Sequence, residues 1–308
     1  MASIPADQLP HPMDNIPIRN LRFDTKQLSG QSALWSHTEP DFSMFINALG
    51  IHVPYFERFL VAVFRGIRSD IDDADLLRDV KGIIGQEAHH AFNFVGWNKV
   101  MHETYPRVSA LEADAESHFA AMQTKHGTFF QVGYVAGYET FTFLAGAIIL
   151  DRYEELMGDA DPVMRALWVW HQVEEVEHGA VAFDVYNYFY ADREWARKLF
   201  VLLAFSHITK ETLRAYLHMG RVEGFWRQPA RGFRAAKFFI RFAVDLARSA
   251  LPVLKRNYHP RSHPICNEHQ NRVALAWRER YDAGLTTLAI EQGDLNHALE
   301  AATGGASS

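Results

Sequence analysis

The chain of 308 residues has a single cysteine, Cys266, so no internal disulfide can form. A lone thiol fits a reducing compartment, and a cytoplasmic location is expected. Basic residues are in the minority: 31 Lys and Arg stand against 37 Asp and Glu, a formal net charge of −6. That balance lacks the basic footprint of a general nucleic-acid binder. Long apolar runs are missing too. The longest, Leu199–Phe205 and Phe143–Leu150, fall well short of the ~18 residues that suggest a membrane span. The first twenty residues carry Asp7, Asp14 and scattered prolines instead of the apolar stretch of a signal peptide. No glycine-rich phosphate loop, Gly-x-Ser-x-Gly elbow or Cys/His catalytic pair is present. Alternating strand patterns of useful length are absent as well.

What remains is helical spacing and sixteen histidines. Residues 1–40 read as an irregular segment wrapped around the outside. From Asp41 the apolar positions turn helical, with Pro54 expected to kink or restart the helix. Further helices are expected from about Ala74 to His102, Ala110 to Lys125 and Phe129 to Leu156. Asp161 as N-cap and Pro162 at the first position open another, running through Tyr188. The spacing predicts amphipathic helices over about Arg193–His218, Gly232–Leu254 and Glu268–Gln292, and a disordered tail over 304–308. The expected fold is all-α. A metal-binding helical bundle would occupy 41–190, with additional helices over 191–303 packed on the same domain.

Carboxylates and imidazoles stand inside these apolar helices. Glu87-Ala-His-His90 and Glu175-Val-Glu-His178 are two Glu-x-x-His motifs, whose i and i+3 positions share one helical face and can present oxygen and nitrogen to one ion. Glu57 and Glu139 sit singly in strongly apolar stretches, where an unpaired carboxylate is costly. The order Glu, Glu-x-x-His, Glu, Glu-x-x-His is the ligand set of ferritin-like dinuclear carboxylate bundles. Spacing gives an independent test. Residues at one height in a helical hairpin are equidistant from its turn. The midpoint of Glu57 and Glu87 is Asp72, and that of Glu139 and Glu175 is Met157; both fall in or beside predicted turns. The competing reading makes these ordinary core histidines, with glutamates paired to Arg58 or Arg165. It requires six independent coincidences.

The chain resembles a bacterial family of ferritin-like proteins described as predicted metal-dependent hydrolases. The resemblance rests on Phe45–Leu49 through Glu57-Arg-Phe, Ile84-Gly-Gln-Glu-Ala-His-His, Tyr138-Glu-Thr-Phe-Thr, and Trp170-His-Gln-Val-Glu-Glu-Val-Glu-His-Gly-Ala-Val-Ala-Phe-Asp, spanning about residues 41–264. The family often has Gly before its first glutamate, where this chain has Phe56. Gln86 and Glu174 each precede a motif glutamate and can point across the bundle toward the opposite histidine. In the similar multicomponent di-iron oxygenases acids occupy both positions, so Gln86 is a departure.

Four glutamates and two imidazoles without thiolate suit two ions, iron first, with manganese or a mixed Fe/Mn pair as alternatives. His171 lies one turn before Glu175 on the same face, either as a seventh ligand, as in some di-iron N-oxygenases, or as a hydrogen-bonded lining residue. Thr142, one turn after Glu139, is a candidate to face the reacting molecule or a plain packing residue. His89 and Glu177 fall off the ligand face and are expected either at the surface or behind the ligands, supporting them. His259, His263, Cys266 and His269 look superficially like a zinc site, but Pro260 and Pro264 break its geometry. The leading expectation is an O2-activating oxidoreductase acting on a small apolar or aromatic substrate, with an electron donor as partner. Phe92, Phe94, Phe141, Phe143 and Phe183 are expected near its pocket. The alternatives are the metal-dependent hydrolase of the resemblance and non-catalytic, ferritin-like metal binding. A homodimer through the helices after Arg193 is also expected.

Overall fold

The computed structural model describes residues 11–266 and 271–295. Among them the fold is all-α, with one isolated bridge pairing Ser36 with Ala160. The order is α1 (Pro40–Leu49), α2 (Val53–Ile67), α3 (Ala74–Thr104), α4 (Val108–Lys125), α5 (Thr128–Asp151), α6 (Tyr153–Met157), α7 (Pro162–Glu177), α8 (Val181–Tyr190), α9 (Glu194–Val222), α10 (Pro229–Ser249) and α11 (Arg272–Asp282). The tail 304–308, Glu268 and His269 lie outside the described residues.

Two hairpins carry the glutamates. In the first, α2 turns through Arg68–Asp73 into α3, where the Asp73 carboxylate accepts hydrogen bonds from the Asp75 and Leu76 amides. Those are donors that a helix N-terminus otherwise leaves orphaned. In the second, α5 and α6 lead to α7, capped by Asp161 through the Val163 and Met164 amides with Pro162 in the first turn. α2 packs along α3, α5 along α7, and α2 also meets α5. The interior is one continuous apolar core in which Phe56, Phe64, Tyr138, Phe143 and Trp170 are fully buried. α5 is long and apolar enough to cross a membrane by composition, yet 89% of its apolar window is buried within this core.

Of the two outcomes expected at Pro54 the restart is found: α1 and α2 are separate, and Pro54 stands in the first turn of α2, where its missing N–H costs nothing. Two expectations need correction. The helix expected from Pro162 to Tyr188 stops at Glu177 and resumes at Val181. Gly179 lies at that break, where a Cβ would come within 2.7 Å of Phe143. The N-terminal segment is irregular apart from a 3-10 turn at Thr25–Leu28, but it does not merely wrap the outside: Arg19 is buried.

Candidate metal centre

α2, α3, α5 and α7 bring Glu57, Glu87, His90, Glu139, Glu175 and His178 into one pocket of the interior, each no more than 2% exposed. Two overlapping groups of donor atoms result. Glu57, His90, His171 and Glu175 form one, and Glu87, Glu139, Glu175 and His178 the other; within each, one donor atom per residue lies within 4.8 Å of all the rest. Glu175 belongs to both, as a carboxylate shared by two ions would.

Apart from a long contact between His171 Nε2 and Glu57 Oε1 at 3.4 Å, most of the donor atoms crowd together without bonding one another. His178 Nε2 is 3.1 Å from Glu87 Oε1, and 3.4 Å from both Glu139 Oε2 and Glu175 Oε2. His90 Nδ1 is 3.5 Å from Glu87 Oε2 and Glu175 Oε1. Yet His178 Nε2, His90 Nδ1, both Glu87 oxygens and one oxygen each of Glu57, Glu139 and Glu175 form no hydrogen bond. Buried polar atoms are seldom left unsatisfied. Donors aimed at a common centre and orphaned together fit a metal pair of mixed oxygen and nitrogen coordination.

Electrostatics agree. Burial, reinforced by the Glu87 charge, pushes Glu57 up to about 7 and Glu139 well above the usual carboxylate range. Burial works the same way on Glu175, but the imidazoles of His171 and His178 overcome it and hold that carboxyl well below its ordinary value. Burial opposes the charged forms of His90 and His178, yet the surrounding carboxylates raise both. Cations are what this cluster needs.

Behind the histidines lies a second tier of contacts. His90 Nε2 meets Glu174 Oε2 at 2.8 Å, and His178 Nδ1 meets Gln86 Oε1 at 2.8 Å. Gln86 spends its amide hydrogens on Pro17 O and Glu177 Oε2, so its oxygen must accept from His178 Nδ1–H. That directs Nε2 at the cluster as the atom a metal would take once its proton is displaced. Glu174 in turn accepts from Arg19 at 2.9 Å, and Arg19 forks onto Glu177 at 2.7 and 2.8 Å. Arg278 also donates to Glu177, and Arg19 stacks over Trp277. The segment bearing Arg19 is seated on α3, where Asn93 accepts from Phe23 N and donates to Leu21 O. A Cβ on Gly85 would come within 2.4 Å of the end of the Ile18 side chain, so a larger residue there would make Ile18 shift.

The other side of the cluster is apolar. A cavity of about 50 Å³ is bordered by Phe94, Phe141 and Trp168, and reaches the cluster through His171 and Thr142. His171 Nε2 is 3.1 Å from Glu175 and 3.4 Å from Glu57, and Thr142 Oγ1 is 3.4 Å from Glu139 Oε1. Of the aromatics expected at the pocket, Phe94 and Phe141 line it. Phe92 is exposed beneath Arg22, Phe143 packs on His263, and Phe183 packs on His259 and Tyr258.

The competing arginine pairs do not form. Arg165 donates to the carbonyls of Met157, Gly158 and Ile290, and Arg58 lies over Tyr55 at the surface. The C-terminal histidines serve separate partners: His259 meets Asp184, and His263 meets the Ser249 carbonyl. Of the two roles expected for Glu177, the one behind the ligands is found, whereas sequence reasoning missed Arg19. The available signal was two extra glutamates in an apolar helix, each requiring a cation that the sequence does not single out.

No curated protein and no solved structure matches this chain. The family described as predicted metal-dependent hydrolase matches over residues 17–264, most of the chain, and the chain belongs to that family.

Proposed function

We propose that the chain is a ferritin-like dinuclear metal enzyme. Glu57, Glu87, His90, Glu139, Glu175 and His178 hold two ions, iron first and manganese or a mixed pair as alternatives, and the reaction is O2-dependent oxidation of a small apolar molecule. The observation that carries this reading is the set of orphaned oxygen and nitrogen donors, free of thiolate, beside an apolar cavity. Bound iron would supply the valence change that O2 chemistry needs, with electrons drawn from the substrate or from a separate electron donor. The protein's own part is orientation and exclusion of water. Glu174 and Gln86 fix the two imidazoles. Phe94, Phe141 and Trp168 keep the approach apolar, and His171 and Thr142 are the polar groups that meet whatever enters it.

Metal-dependent hydrolysis is the second reading, and the family's description favours it. A bound ion would then act on water as a Lewis acid. Two observations weigh the other way. Four anionic carboxylates reduce the electrophilicity of their ions, and among the described residues no Lys or Arg lines the cavity to steady a developing oxyanion.

Metal analysis, followed by spectra of the ferrous-loaded protein before and after O2, tests the proposal. Two metals per chain and new visible absorption after O2 are expected. Zinc-loaded protein cleaving an ester or phosphate without O2, as fast as the iron form, would overturn oxidation in favour of hydrolysis. Fewer than one metal per chain would overturn both.

A further inference from the structure

α10 is amphipathic in an unusual sense: both of its long faces are apolar. Phe238, Phe239, Phe242 and Leu246 point into the core, with Phe242 on Phe45 of α1. On the opposite face Phe233, Ile240 and Val244 follow at helical spacing, Phe233 and Ile240 being 72% and 61% exposed, and Leu251 in the 3-10 turn after the helix is 60% exposed. Neighbouring α9 repeats the pattern with Trp195, Leu199, Leu202, Leu213 and Leu217 outward, and Trp226 between the helices is 71% exposed. Single exposed apolar residues are ordinary, but two parallel stripes of them are not.

Charge follows the same surface. From Trp226 to Arg256 the chain carries eight Lys or Arg and one acid, Asp245, in a protein whose net charge is −6. Arg231 pairs with Glu223, and Arg241 with Glu155. Arg234, Lys237 and Arg248 are exposed along the edge of the α10 stripe and make no ion pair among the described residues. An apolar stripe bordered by cations is the design of a helix lying in a bilayer interface, with aromatic and aliphatic groups at the acyl boundary and basic stems reaching the headgroups.

We infer that the α9–α10 face docks on an anionic lipid bilayer. A second copy of the chain fits this face poorly, because a two-fold contact would set the same cations against themselves. Nucleic acid fits poorly as well, because the outermost groups are apolar and would meet phosphates.

The docked face also leads toward the candidate centre. α9 contributes Phe205, Ile208 and Thr212 to the wall of the cavity beside the metal cluster, and α10 contributes Phe242 and Leu246. Phe239 borders both that cavity and an outer groove of about 660 Å³ lined by Leu213, Leu217, Trp226 and Ile240. Resting on the proposed function, this route makes the substrate a membrane-dissolved apolar molecule that enters between α9 and α10.

Flotation of the full chain with phosphatidylcholine vesicles, with and without phosphatidylserine, tests the docking. It needs neither metal nor turnover, so its failure is distinct from failure of the enzyme reading. Binding to the serine-lipid vesicles, weakened by salt, is expected. Each of Arg234→Glu, Lys237→Glu and Arg248→Glu should weaken partitioning by about fivefold or more. Phe233→Ser with Ile240→Ser should weaken it by on the order of tenfold. These residues are exposed, and unchanged circular dichroism and melting would show that the variants fold. Equal binding to both vesicle types, or binding indifferent to both sets of changes, would overturn the inference. So would a dimer in light scattering that Ile240→Ser dissolves, which would assign the face to a second copy.

Discussion

Histidines on the two sides of α5 shift in opposite directions. His90 and His178, among carboxylates, are held well above the ordinary imidazole value. His52 and His207 cluster with Tyr138 toward α9, and burial pushes each down to about 3. Both environments withdraw their rings from water; only the first crowds them with carboxylates. On the charged side Glu174 and Gln86, backed by Arg19 and Glu177, fix the directions of His90 and His178. On the apolar side His52 Nε2 has no hydrogen-bond partner, and the ring packs against Tyr138 and His207. One wall orients the imidazoles of the cluster, and the other is apolar.

The largest effect should come from breaking the point where the two donor groups meet. Glu175→Ala removes the one carboxylate common to both, so both ions should be lost, and with them any O2-dependent absorption. Elemental analysis after desalting checks this. Retention of two ions per chain would show that the groups do not act as one centre.

Next comes the charged wall itself. Arg19→Met leaves Glu174 and Glu177 buried with less than their full countercharge. Removing one partner of a buried pair costs about 3–5 kcal/mol. Arg278 still reaches Glu177, so the lower end of that range is expected. Because Arg19 steadies Glu174 behind His90, metal affinity should fall about 10–100-fold. Denaturant unfolding and metal titration read the two losses separately.

A narrower cut reaches one histidine only. Gln86→Leu removes the acceptor of His178 Nδ1–H, letting the proton move to Nε2, where it blocks coordination. A loss of about tenfold in affinity is expected for the ion bound by Glu87, Glu139, Glu175 and His178. The ion near Glu57 and His90 should be nearly unaffected. Titration resolving two unequal sites would sharpen the contrast, and an equal loss at both would erase it.

Much of this arrangement was legible before any coordinates. Local signals carried it: Asp73 and Asp161 as caps, Pro162 in a first turn, and 3.6-residue spacing along α2, α3, α5 and α7. Equal arm lengths about Asp72 and Met157 placed the four glutamates level, because a helical hairpin leaves little freedom along its axis. The offsets of Gln86 and Glu174 aim each at the opposite histidine for the same reason. Arg19 was not legible. Its contact with Glu174 spans 155 residues and comes from an irregular strap whose path depends on Gly85 and Asn93, not on any periodic pattern. The break after Glu177 was equally hidden, since Gly179 marks a close approach only once Phe143 is in place. The outward stripes of α9 and α10 needed the fold as well, because helical spacing does not say which apolar face the core takes.

The smallest effect belongs to the apolar wall, and it is read as a pH dependence. His52 is neutral in the folded protein down to about pH 3, whereas in the unfolded chain it binds a proton below its ordinary value of 6.5. Between those limits the unfolded state holds the extra proton, so acid favours unfolding. Stability from this residue is fully present above about pH 6.5 and falls by about 1.4 kcal/mol for each pH unit below it. His52→Leu deletes the titrating ring while keeping an apolar side chain in its place. The denaturation midpoint of the variant should therefore decline less steeply with acid than that of the parent chain, by one proton's worth of slope. Parallel curves would mean that His52 is protonated in the folded state, and the apolar side would then hold a countercharge like the one across α5.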